Sequence, residues 1–208
     1  MPLLPSRDQV LDELPEISEL RPIMLRAWER WVDEIGPGTR KDLTDSTRAF
    51  MVHDFIVTEA VRSLDGIAKV HDKSALRLFT IRNYALRFKK LDNELMSRNQ
   101  ETSQVKAFMG QLPLDGIPAV HNLEVGYVLD RLGTEVVSTN VVCPNGYKNP
   151  PHWHIELHDE GYELSDVIDM FPDGPSPNQM DTLEYGAQWK RRESGVIIPF
   201  SRNNKMPR

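Results

Sequence analysis

Residues 44–64 limit the possible folds more than any other stretch. At 100° per residue, Phe50, Val57, Ala60, Val61 and Leu64 form one apolar stripe, and Met51, Val52, Phe55 and Ile56 form a second. A helix that is apolar around most of its circumference has to be covered by other elements. Its ends are marked: Thr44, Asp45 and Ser46 are good N-caps, and Asp65-Gly66 is a stop. We read it as the central helix of the domain. His53 falls inside its apolar stripe, Asp54 lies at the stripe's edge, and Glu59 emerges on the opposite side.

Elements able to cover this helix lie on both sides of it in the chain. Upstream, Pro22 suits a first helical turn, and Ile23, Met24, Ala27, Trp28, Trp31 and Ile35 recur at helical spacing until Gly36-Pro37-Gly38. Residues 1–15, punctuated by Pro2, Pro5 and Pro15, read as irregular. Downstream, 75–81 and 84–91 read as a hairpin around Arg82-Asn83, and Thr102 or Ser103 caps a short helix. A second hairpin joins 122–129 to 134–143, and His152–His158 alternates like a strand. Residues 163–171 read as a short helix and 195–200 as a last strand. The prediction is an α+β fold: N-terminal helices packed on an antiparallel β-sheet, with a loosely structured C-terminal segment. Residues 1–171 make one domain, and 172–208 a Pro-rich, basic tail.

Composition narrows the class. A hydrophobic share of 39% excludes a wholly disordered chain. The single cysteine, Cys143, excludes an internal disulfide framework and points to a reducing compartment. No apolar run approaches the ~18 residues of a membrane span, and the first residues lack the basic start and apolar run of a signal peptide. The expectation is a cytoplasmic protein with no membrane partner. The net charge of −6 is unevenly spread: 151–184 carries −9 and no Lys or Arg, whereas 185–208 carries +5. Such asymmetry suits docking of a partner protein or nucleic acid.

Three groups of residues could carry chemistry. His53, with Asp54 beside it, is a polar group in an apolar stripe and a candidate acid/base or anion positioner. On 84–92, Ala85, Arg87 and Lys89 share one strand face, and a two-residue turn sets Arg87 opposite Leu78 and Lys89 opposite Leu76. If the central helix packs on that face, His53 and Asp54 meet Arg87 and Lys89 in a cationic, partly desolvated pocket suited to phosphate or carboxylate. Compared with metal-dependent nuclease strands, Arg87-Phe88-Lys89 keeps the lysine but lacks the acid, and only Glu59 or Asp72 offers a substitute. Lastly, His152, His154, Glu156 and His158 point to one face of their strand and are suitable ligands for a divalent metal.

Leu86-Arg-Phe-Lys-Lys-Leu-Asp92, Gln111-Leu-Pro-Leu-Asp-Gly-Ile-Pro118, Val125-Gly-Tyr-Val-Leu-Asp130 and Val142-Cys-Pro-Asn-Gly146 resemble a group of uncharacterised bacterial proteins. The resemblance covers roughly residues 45–157. Proteins of that group are often encoded beside a regulator with a helix-turn-helix and a zinc-peptidase-like domain, a layout similar to toxin–antitoxin and prophage-type modules. It implies that this chain is the non-regulator member, with a cognate antitoxin-like regulator as partner, and it implies no catalytic residue.

The sequence therefore suggests a toxin-like effector acting on RNA, DNA or another phosphate-bearing target. A metal-independent ribonuclease-like activity needs no cofactor. In it His53 and Asp54 act as acid/base or positioning groups, Arg87 and Lys89 hold the anion, and Lys90 and Tyr84 add nucleic-acid contacts. The alternatives are a non-enzymatic antitoxin or adaptor protein, and a small enzyme that holds a divalent metal on His152, His154 and His158.

Overall fold

The computed structural model describes residues 4–73, 76–118 and 121–159, together with the backbone of 161–163, 189–191 and 197–199. The chain divides into two units, Met1–Val167 and Ile168–Arg208.

The first unit starts with helices. Ser6 caps α1 (Arg7–Glu13) by accepting from the backbone N–H of Gln9, so a segment read as irregular is helical between Pro5 and Pro15. Helix α2 (Ile17–Glu34) begins five residues before Pro22, which lies inside it. Its buried residues, Ile17, Leu20, Ile23, Met24, Ala27, Trp28 and Trp31, form a stripe at i, i+3, i+4 and i+7. A short α3 (Pro37–Asp42) starts with proline at its first position. Thr44 caps α4 (Asp45–Ser63), and the Leu64 N–H closes its end on Ala60 O.

Helix α4 corrects the expectation of a helix covered all round. Val52, Ile56, Val57, Ala60 and Leu64 are buried, but Phe50 is 71% exposed and Val61 46% exposed. α4 lies between α2 and the sheet, and its third side is open. Glu59 is likewise not on the outside: it is buried and meets Arg30 at 3.1 Å, Arg62 at 3.1 Å and Arg26 at 3.6 Å. Three guanidinium groups satisfy a carboxylate that the helix–helix contact desolvates.

Seven strands follow: β1 (Lys69–Lys73), β2 (Leu76–Ile81), β3 (Tyr84–Leu91), β4 (His121–Leu129), β5 (Val136–Cys143), β6 (Trp153–His158) and β7 (Gly161–Glu163), adjacent in sequence order. Every pair is antiparallel except β3–β4, which is parallel. The fold is thus α+β with N-terminal helices on a mostly antiparallel sheet, and the parallel pair corrects the all-antiparallel expectation. Parallel neighbours need a long crossover, and the segment after Asp92, with α5 (Ser103–Met109), provides it. The Arg82-Asn83 turn gives the expected register, Phe79↔Leu86, Thr80↔Ala85 and Ile81↔Tyr84.

The crossover covers the sheet's second face. On the first face, Phe79, Ile81, Leu86, Phe88, Leu123, Val125, Val141, Ile155 and Leu157 join α1, α2 and α4 in the main core. On the second face, Leu76, Leu78 and Ala85 pack against Val105, Phe108 and Met109 of α5. Strands covered on both faces are near-continuously buried, as β3 and β4 are. Among the described residues no helix is long and apolar enough to cross a membrane. In the second unit, β8 (Trp189–Arg191) pairs antiparallel with β9 (Ile197–Pro199). The helix expected over 163–171 and the looseness expected of the C-terminal segment lie outside the described residues.

Candidate functional site

Strand alternation decides which candidates meet. Leu86 and Phe88 point to the helices, so Ala85, Arg87 and Lys89 point to the α5 face. α4 carries His53 on the first face. The sheet therefore separates His53 from Arg87 and Lys89, and the shared pocket expected for them does not form. His53 is half-buried, and burial lowers its pKa; Lys89, Arg77 and Arg87 lower it further, against the opposing charge of Asp54. Asp54 is exposed on α4.

Arg87 has another partner. The parallel register sets Arg87 directly opposite Glu124 on β4, with Nη1 3.4 Å from Oε1. Both residues are buried, and the guanidinium carbon stands 5.8 Å from the centre of the Phe108 ring. The Ser97 hydroxyl donates to Glu124 at 2.7 and 2.9 Å from its two carboxylate oxygens. Asn99 Nδ2 in turn donates to Ser97 Oγ at 2.6 Å, and the Tyr147 hydroxyl donates to Asn99 O at 3.0 Å. Burial pushes the Glu124 carboxyl above its ordinary range, while Arg87, Ser97 and Lys89 pull it back. The acid missing from Arg87-Phe88-Lys89 thus comes from the neighbouring strand.

Glu124, Ser97, Asn99 and Tyr147 line a cavity of about 270 Å³ between the loop after β3, the end of α5 and the turn after β5, with Arg87 outside its lining. Arg98 and Lys148 also line it. Arg98 and Lys148 are exposed and bring positive charge to the rim. Asn99 Oδ1 is a buried acceptor with no hydrogen-bond partner among the described residues. The loop is pinned by Asp92, whose Oδ1 accepts from the N–H groups of Glu94 and Met96 at 3.0 Å each, and by a bridge between Leu91 and Ser97. Glu124 and Ser97 escaped the sequence reading; the one local signal for Glu124 is its alternation with Asn122 in a mostly apolar strand, and Ser97 has none.

Lys89 shares the face of Arg87, opposite Gly126, and burial next to Arg87 lowers its pKa to about 8. Lys90 is on the other face, where Arg48 and Asp45 act on it. Tyr84 is fully buried and its hydroxyl donates to Glu13 at 2.8 Å, which corrects its assignment as a nucleic-acid contact. His154 and Glu156 share a half-buried face of β6, but no three His, Cys, Asp or Glu side chains among the described residues gather to hold a metal. The expected histidine metal centre therefore lacks its geometry. Cys143 is buried and its thiol is pushed up to about 12, which fits a structural role. Asp72 is exposed and paired with Arg77.

Family models, curated proteins and solved structures contain no match to this chain.

Proposed function

We propose that this chain is the toxin-like effector of a bacterial two-gene module and cleaves or modifies RNA at the cavity over β3–β5. The observation that carries the reading is the meeting of Glu124 and Ser97 in the lining of a cavity with a cationic rim, with Arg87 paired to Glu124 from beneath. Arg98 and Lys148 hold the phosphate, and Tyr147 offers a flat ring to a base. Glu124 replaces His53 as the proton acceptor: it takes the 2′-hydroxyl proton through Ser97 as the 2′ oxygen bonds to phosphorus and the bond to the 5′ oxygen breaks. The leaving oxygen then recovers a proton from Glu124. Arg87 positions Glu124 rather than touching the anion, because it is buried and already paired. The same reading places the chain in the cytoplasm, with the antitoxin-like regulator as its partner.

Expression of the chain alone should arrest growth, and the purified protein should cleave single-stranded RNA. Glu124→Gln, shown folded by circular dichroism, should lower cleavage by at least ~100-fold, the usual scale of a lost acid/base group. Absence of arrest and cleavage in the wild type, or full activity in folded Glu124→Gln, overturns the reading. The exposed apolar side chains Phe50, Leu132 and Val137 favour the adaptor alternative. An adaptor is harmless alone and co-purifies with its regulator.

A further inference from the structure

A second cavity, of about 320 Å³, opens on the helix side of the sheet, beside the turn between β4 and β5. One wall is aromatic. Trp28 and Trp31 stand one turn apart on α2, and Trp28 packs 6.2 Å from Tyr127 of β4. The other wall is cationic: Arg40 and Lys41 come from α3 and Arg48 from the first turn of α4. No Asp or Glu lines the cavity. Asp45 pairs with Arg48 at 2.7 Å, and among the described residues Arg40 and Lys41 form no ion pair.

Arg48 is seated with care. Its Nη1 donates to Gly133 O at 2.9 Å and its Nη2 donates to Asp45. Gly133 has φ +69°, and a Cβ there would come within 2.5 Å of Arg48 Nη1. The position therefore requires glycine for its backbone and also to admit the guanidinium. Nε of Arg48 and Nε of Arg40 are buried with no acceptor among the described residues. Buried donors of this kind need a partner, and a guanidinium pair suits a multidentate oxyanion.

From this we infer that the cavity binds a small phosphate monoester with a flat body, of the nucleoside monophosphate class. A phosphate monoester brings ~1.5–2 negative charges, more than a carboxylate, to a wall of three basic side chains. A volume of about 320 Å³ is enough to take a mononucleotide. Trp28 and Trp31, 9% and 3% exposed, offer a small apolar contact to the flat body. The site faces away from Glu124, with the sheet between them, so it stands independently of the proposed RNA site.

Calorimetric titration of the full chain at low salt tests this, with adenosine 5′-monophosphate and inorganic phosphate as separate probes. The nucleotide should bind saturably and about tenfold or more tighter than phosphate. Arg40→Ala and Lys41→Ala should each weaken it about tenfold or more, whereas Glu124→Gln should not change it. Both substitutions fall on half-buried or exposed side chains of a short surface helix, so the fold should survive them. Unchanged nucleotide affinity in a folded Arg40→Ala/Lys41→Ala variant, or no saturable binding of the nucleotide up to ~5 mM, overturns the proposal. Equal affinity for phosphate and nucleotide overturns the role given to the indoles.

Discussion

Arg87 and Glu124 face each other across the only parallel pair of neighbouring strands described in the sheet, Nη1 to Oε1 at 3.4 Å, both nearly out of reach of water. Breaking such a pair from one side leaves a charge without compensation. Arg87→Met should therefore cost about 3–5 kcal/mol of unfolding free energy. Arg87→Met/Glu124→Gln should cost less than the sum of its single variants, because the second change removes the stranded carboxylate. Urea unfolding of the four proteins measures this, and strictly additive costs would show that the two groups are not coupled.

Lys89 sets a pH dependence. Burial, with Arg87 nearby, lowers its pKa from 10.5 to about 8 in the folded protein. Between these values the unfolded chain binds the extra proton, so stability rises with pH through that window. Below it both states are charged and the full cost of the buried ammonium remains. Lys89→Met should be more stable than wild type at pH 7 by on the order of 2–3 kcal/mol, and this advantage should fade by about pH 10.5. A gap that stays constant with pH would contradict the assignment.

Gly126 has no room for a side chain. A Cβ there would lie 2.4 Å from Leu91 Cγ and 2.8 Å from the Lys89 carbonyl oxygen. The carbonyl belongs to a paired strand and cannot retreat. Gly126→Ala should destabilise the protein by about 1–3 kcal/mol through overpacking, read as a lower midpoint in thermal unfolding.

Two tyrosines should separate burial from recognition. Tyr84 is fully buried and Tyr147 lines the cavity. Tyr84→Phe should leave affinity for single-stranded RNA within about twofold, whereas Tyr147→Ala should remove roughly 1–3 kcal/mol of stacking. Filter binding compares them, and a larger loss in the Tyr84 variant would reverse the two roles.

Much of the fold is legible in the periodicity of the chain. The stripe on α2, the Thr44 cap, the turn at Arg82-Asn83 and the alternation of β6 are local, and each is encoded within a few residues. Proline misled twice for the same reason. The early prolines hid α1 because Ser6 restarts the chain after Pro5, and Pro22 is tolerated inside α2 rather than starting it. Phe50 and Val61 misled in the other direction: apolar residues on a helix show what could be covered, and only the neighbours decide what is.

By itself the sequence determined the elements and which side chains share a strand face, because period 2 and period 3.6 are properties of the backbone alone. Arg87 and Lys89 were bound to point the same way. Only the tertiary structure decided what they would meet. The helices took the Leu86–Phe88 side, which placed His53 behind the sheet. The crossover after β3 made β4 its parallel neighbour and brought in Glu124 from 37 residues away. Pairings at that separation depend on how a long connection closes and which faces must be buried, and no short window of residues carries that information.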